Sequence, residues 1–283
     1  MNKHNNPRDE LYGLLPRILQ PYITWLSGIP STHEKKYFTQ NSITVIAIGF
    51  ISILVGFLFI NVGIDTGGLY GVIGYFLGFC FVAGGMRRLD VWVIHQTLHN
   101  KVFSSVKGNK YLGEFLTTIL LRTPYEKNRK GHLGHHRSPC DENDEDIVFL
   151  SSAGLFLEEN KRKLYTNILL TVVSPRFHTK FLYNRLSANL KNDVPVLRRL
   201  MALVYLTSVI GLFTVFGHGL TILLYWFIPL IFGFQISNFL YTTTEHRWWL
   251  FENKKAAGRE KRDLLSFARV CCSLPPQNNN WFV

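Results

Sequence analysis

Four apolar stretches limit what this chain can fold into. Ile43 to Val62 reads ITVIAIGFISILVGFLFINV without a charge, and positions 69–86, 200–219 and 220–242 are equally free of charged side chains. Each is close to the roughly 20 residues that a helix rising about 1.5 Å per residue needs to cross about 30 Å of hydrocarbon. Such helices belong in lipid or in the core of a large soluble all-α protein, and charge placement separates the two. Of the 31 Lys and Arg, five precede Ile43, nineteen lie from Arg87 to Arg199 and seven follow His246, with none in 43–86 or 201–246. The links inside the two apolar blocks, NVGIDTGG and FGHG, hold no basic residue. By the positive-inside rule those links face outward, and both termini with everything else face the cytoplasm. The expected fold is all-α, an integral multi-pass membrane protein with four transmembrane helices in two hairpins and a helical cytosolic cap.

This divides the chain into a cytosolic segment at 1–42, a membrane domain at 43–249 that includes the cap at 87–199, and a cytosolic segment at 250–283. The first 42 residues are polar and broken by Pro7, Pro16, Pro21 and Pro30, so no cleavable signal is expected. Within the cap, YLGEFLTTILL (Tyr111 to Leu121) and KLYTNILLTVV (Lys163 to Val173) are too short to span but apolar enough to lie in the interface. Pro124 and Pro175 end them. The four cysteines show no CxxC spacing and fall in the membrane or on the reducing side, which argues against disulfides and zinc fingers. A net charge of +12 spread along membrane-flanking segments, without a recognition motif, excludes nucleic acid and points to anionic lipid headgroups or an acidic protein partner.

The histidines are not spread evenly. His95 and His99 follow the second span four residues apart, and His132, His135 and His136 sit in KGHLGHHR ahead of an acidic run ending in Asp144-Glu145-Asp146. On helices these spacings put each group on one face, close enough to ligate one metal ion or two adjacent ones. One histidine near a membrane boundary is ordinarily a polar anchor. Five of the ten within 42 residues, in two ligand-spaced groups on one side of a membrane, fit metal binding better. His246 closes the fourth span in YTTTEHRWW, and Glu245 beside it is the single acid in that apolar block. An ionisable residue at such a depth is a functional candidate.

HQTLH after the second span, HLGHH followed by Asp144 and Asp146, and TEH after the fourth together resemble the integral-membrane fatty acid desaturase and hydroxylase superfamily, over about Ile43 to Trp249. The resemblance implies two irons held by histidine boxes on the cytosolic side. It implies that O2 and two electrons are used to desaturate or hydroxylate an unactivated lipid or acyl chain. By position, His95, His99, His132, His135 and His136 look like ligands, and His246 like the ligand from the end of the fourth helix. Each ligating ring should donate its other N–H to a carboxylate or carbonyl, which gives Asp144, Asp146 and Glu245 a role in holding the rings. No flavin, haem or iron–sulfur motif accompanies the boxes, so a separate electron donor such as ferredoxin or cytochrome b5 is implied.

Fatty acyl desaturation is the leading reading, and hydroxylation of alkyl, acyl or carotenoid substrates is the alternative on the same ligands. A non-enzymatic membrane metal-binding protein would instead place its ionisable ligands at the bilayer midplane. The chain departs from the superfamily in having no histidine after His246, where a further HxxHH-like box is expected, so truncation near Val283 and an under-ligated second iron are expected. His4, His33 and His178 lack ligand spacing. Thr242 stands where several relatives have Asn, with Asn238 one turn further back.

Overall fold

The computed structural model describes residues 16–20, 41–137, 144–155, 161–217 and 219–245, and no strand occurs among them. Four helical segments are long and apolar enough to cross a membrane: Ser42–Thr66, Gly68–Leu98, Val196–Val215 and Gly219–Thr243. The all-α expectation therefore holds.

Helix α1 (Ser42–Thr66) starts at Asn41, whose side chain accepts from the Thr44 N–H while the Thr44 hydroxyl accepts from the Asn41 N–H, both at 2.9 Å. The two residues thus satisfy amides that the first helical turn leaves open. At the other end the chain reverses through Gly67, whose φ of 63° disfavours a side chain, into α2 (Gly68–Arg88). The two helices run antiparallel with their backbones touching. Gly49, Gly56 and Gly63 on α1 face Gly71, Gly78 and Gly85 on α2, and both sets repeat every seventh residue. A Cβ added at Gly78 would fall 2.6 Å from the Gly56 carbonyl oxygen, and one at Gly85 would fall 2.7 Å from that of Gly49. Lipid gives little hydrophobic push between helices, so close backbone packing of this kind carries their association. Leu54, Leu58, Val72 and Phe76 point outward, exposed, as a lipid-facing surface requires.

Charge begins at Arg87, and the sequence reading ends the second span at Met86. The helix nevertheless runs on to Leu98. Arg87 and Asp90 pair at 3.2 Å, and the buried Asp90 pairs again with Arg122 at 3.2 Å, so one carboxylate is shared by two guanidiniums inside the fold. A π-helical stretch, Leu89–Ile94, precedes the last α turn, His95–Leu98. Such a wide turn re-phases every residue beyond it and is a frequent feature of functional sites.

The segment before the third span folds as α3 (Val106–Ile119), α4 (Tyr125–Arg137), α5 (Glu145–Ser152), α6 (Lys161–Val173) and α7 (Pro175–Leu190). The short apolar stretches at 111–121 and 163–173 lie largely on α3 and α6. Tyr165, Leu169, Leu170 and Val173 are exposed, leaving α6 an uncovered apolar face.

The third span, α8 (Val196–Val215), is tied to α3 by polar contacts. Buried Arg198 donates to the Glu114 carboxylate at 3.0 Å and to the Arg122 carbonyl at 3.1 Å, and the Tyr205 hydroxyl donates to the Ile119 carbonyl at 3.0 Å. Trp226 Nε1 donates to Tyr205 at 2.6 Å and links the third span to the fourth. The fourth passes through two π-helical stretches, the second opening at Pro229, before α9 (Phe234–Glu245). Proline brings no N–H, so a relaxed turn is the natural accommodation. At the start of α9 a Cβ on Gly233 would fall 2.7 Å from that of Ala83, so the fourth span abuts α2.

Candidate metal centre

The centre forms where the prolonged end of α2 meets α4. Tyr125 O–H donates to the Thr97 carbonyl at 2.7 Å and Arg129 Nε to the Leu98 carbonyl at 2.9 Å, so α4 is fastened to the carbonyls that α2 leaves open at its terminus. One ring nitrogen from each of His95, His99, His132 and His136 then lies within 4.8 Å of the other three. The Nε2 of His132 is 2.9 Å from that of His99 and 3.0 Å from that of His136.

These contacts are poorly explained as hydrogen bonds, because one neutral ring nitrogen cannot both donate to one neighbour and accept from another. Charge is also disfavoured on His132 and His99. Burial pushes His132 far below the usual histidine range, with His95 and His136 adding to it; burial likewise lowers His99, followed by Arg129 and Lys101. Neutral lone pairs therefore converge on one point. Two nitrogens each about 2.1 Å from one ion and at right angles to each other stand about 3.0 Å apart, so the spacing suits an all-imidazole site for a first-row metal.

His135 takes a different direction from the one the spacing suggested. On a helix turning about 100° per residue, His136 lies about 40° to one side of His132 and His135 about 60° to the other. His132 and His136 accordingly meet the α2 rings, while buried His135 meets the acids: its Nδ1 is 2.9 Å and 3.0 Å from the two Asp144 oxygens and 3.5 Å from an Asp146 oxygen. Asp144 is itself held as the N-cap of α5, accepting from the Asp146 N–H at 3.0 Å. With its Nδ1–H donated to Asp144, a neutral His135 keeps a lone pair on Nε2. His135, Asp144 and Asp146 form a second group with metal-ligand spacing. Glu145, whose carboxyl is raised by burial and then by Asp146, fills the space that any side chain at Gly131 would need.

A cavity of about 290 Å³ lies against the rings and is also lined by Asp90, Arg122, Asn238 and Thr242. Asn238 accepts from Arg87. The sequence reading weighed Asn238 and Thr242 only as family positions and passed over Arg87, Asp90 and Arg122. For Arg87 and Asp90 the available signal was charge continuing an apolar helix; Arg122, in the turn after α3, carried none. His178 joins neither histidine group: its Nε2 donates to the Val172 carbonyl at 2.8 Å and its ring packs on Phe232. The Glu245 side chain and His246 lie outside the described residues, as do His4 and His33.

Compared with known families, the profile of the family described as fatty acid desaturase matches residues 66–282. No curated protein and no solved structure matches the chain.

Proposed function

The chain belongs to the fatty acid desaturase family, and on that premise we propose that it is a membrane oxidoreductase that introduces a double bond into a fatty acyl chain at a histidine-ligated di-iron centre. The observation that carries this reading is the convergence of His95, His99, His132 and His136 within 4.8 Å at the end of a membrane-crossing helix. Iron bound there would supply the oxygen-activating redox chemistry of the reaction, drawing on O2 and two electrons from an external donor such as ferredoxin or cytochrome b5.

The chain's own residues supply the rest. The four imidazoles would hold one ion. Nε2 of His135, with His246 from the end of the fourth span, would serve the second, while Asp144 and Asp146 fix the His135 ring and Glu245 stands beside His246. The Arg87–Asp90–Arg122 pairs hold the end of α2 in the phase that brings His95 and His99 to α4. In this reading the segments 1–42 and 250–283, both termini and the centre face the cytoplasm, because the basic residues flank the spans on that side. The alternative of a membrane metal carrier is disfavoured, since these rings cluster at a helix end, away from the middle of a span.

The test is expression in host membranes, with iron measured on the purified chain and lipid products read by mass spectrometry. The chain should hold iron; among lipid products, acyl chains two mass units lighter would assign desaturation and chains sixteen units heavier hydroxylation. A His132→Ala variant that keeps both its iron and its products would end the proposal.

A further inference from the structure

Helix α6 is apolar on two faces, and among the described residues protein covers one of them. Leu164, Ile168 and Val172 recur every fourth residue and pack against Leu150, Leu155 and Phe239. One position further on, Tyr165, Leu169 and Val173 form a second stripe that is 63 %, 67 % and 72 % exposed, with Leu170 exposed beside it. A helix with more apolar surface than its protein buries is suited to a lipid boundary rather than to water.

Contacts with the fourth span set the depth at which α6 turns into α7. The His178 ring packs on Phe232 with centroids 5.0 Å apart, and Phe177 packs on Phe239 at 5.2 Å. Those levels can be referred to α2. Asn238 accepts from Arg87, the first charge on α2, and a Cβ on Gly233 would fall 2.7 Å from that of Ala83, four residues before Arg87. Phe239 is therefore level with the onset of charge, and Phe232 lies about 6 Å or more inside it at about 1.5 Å per residue. The corner between α6 and α7 sits between these levels, and an interfacial helix rests about 5–10 Å into the boundary of head groups and acyl chains.

The charge on this surface has one sign. Between Asn160 and Asn192 stand seven Lys or Arg and no Asp or Glu, and Arg162, Lys163, Arg176 and Lys180 among them are exposed. They precede and follow the apolar stripe, at the start of α6 and along the first half of α7. The largest described cavity, about 630 Å³, lies beside this surface and apart from the histidines, bounded by α5, α6, α7 and the turn from α3 into α4. Leu170, Arg176 and Lys180 line it together with buried Arg185, and Arg122, Thr123, Phe149 and Phe181 line both this cavity and the one against the imidazoles.

We propose that the outer surface of α6 and the start of α7 docks on the membrane leaflet at the histidine end of the spans, with Tyr165, Leu169 and Val173 among acyl chains and the flanking basic residues against anionic head groups. The spans hold the surface at that depth, so a soluble partner would have to cover the stripe where the bilayer already lies. Anionic lipid should gather beside such a basic, membrane-flanking segment. The inference rests on the four spans and not on the metal centre.

The experiment uses the full chain in nanodiscs of phosphatidylcholine with phosphatidylglycerol as the minor component. A dansyl amino acid is incorporated at position 169 or, for comparison, at exposed position 127 on α4. Position 127 stands two residues before Arg129, whose partner Leu98 is about 15 Å beyond Arg87 along the helix. Both labelled chains should melt like the wild type. The label at 169 should be quenched by nitroxide-bearing acyl chains severalfold more than by iodide, and the label at 127 the reverse. At equal fractions, nitroxide-labelled phosphatidylglycerol should quench position 169 roughly twofold more than labelled phosphatidylcholine. Arg162→Gln, Lys163→Gln, Arg176→Gln and Lys180→Gln together should remove that preference. Iodide quenching at 169 equal to that at 127 would put the stripe in water, protection from both quenchers would put it under protein, and equal quenching by the two lipids would leave the basic residues without a role; each of these overturns the proposal.

Discussion

The cavity against the imidazoles and the larger one behind it share a wall but differ in charge: acids and bases both line the first, and among the described residues only bases line the second. The smaller one meets imidazole rings, with Asp144 hydrogen-bonded to His135 and Asp146 3.5 Å from it. The larger meets guanidinium and ammonium groups, with Arg185 as its buried cation. Arg122 stands in the wall between them and is tied to Asp90 at 3.2 Å. A metal cation needs lone pairs on uncharged donors, with negative charge placed one step out to orient them.

The largest change should come from His132→Ala. His132 Nε2 touches the Nε2 atoms of both His99 and His136, so its loss should abolish metal retention and product formation together, as seen by metal analysis and lipid mass spectrometry. A variant that still holds metal would break the contrast at its root.

Asp144→Asn separates orientation from capping. Asparagine caps a helix as well as aspartate does, so α5 should survive, while loss of the carboxylate at His135 should weaken metal affinity roughly 10–100-fold in a chelator competition. Asp146, at 3.5 Å, should matter less. If Asp144→Asn binds metal like the wild type, the acids have no orienting role.

Acidification should act on one cavity only. His132 and His99 have depressed pKa values in the fold, whereas an unfolded chain takes up protons on histidine below about 6.5. The unfolded state then binds more protons, so stability falls progressively as the pH drops below that value, and metal should be released over the same range. Thermal melts and retained metal between pH 7.5 and 5 would measure both. Arg185 keeps its charge throughout. Retention independent of pH would mean that the rings are not the donors.

The smallest effect on either cavity should come from the membrane pair. Gly78→Ala puts a methyl 2.6 Å from the Gly56 carbonyl and should cost about 1–3 kcal/mol of stability in a melt. Metal bound per folded molecule should stay unchanged. A loss of metal there would show that α1 and α2 packing controls the distant site.

The four spans were legible because the thickness of hydrocarbon sets their length and expels charge, and both constraints are written along the chain. Where the second span stops was not legible: whether Arg87 and Asp90 end a helix depends on Arg122, which lies more than thirty positions away. The seven-residue glycine register was present in the sequence, yet it has meaning only when two such registers face each other.

The same division runs through the site. Spacing singled out His95, His99, His132, His135 and His136 as candidates, because helical periodicity places side chains on faces. It could not assign those faces to partners. That His132 and His136 meet α2 while His135 turns to Asp144 was decided by where α2 and α5 lie around α4. The basic cavity was only partly legible: Arg176, Lys180 and Arg185 share α7, but Arg122 stands 63 positions before Arg185 and joins them only because α7 packs against the turn that follows α3. Periodicity and hydrophobic length are properties of a segment and can be read from it; the pairing of charges and the sharing of a cavity are properties of distance, which only the packed chain sets.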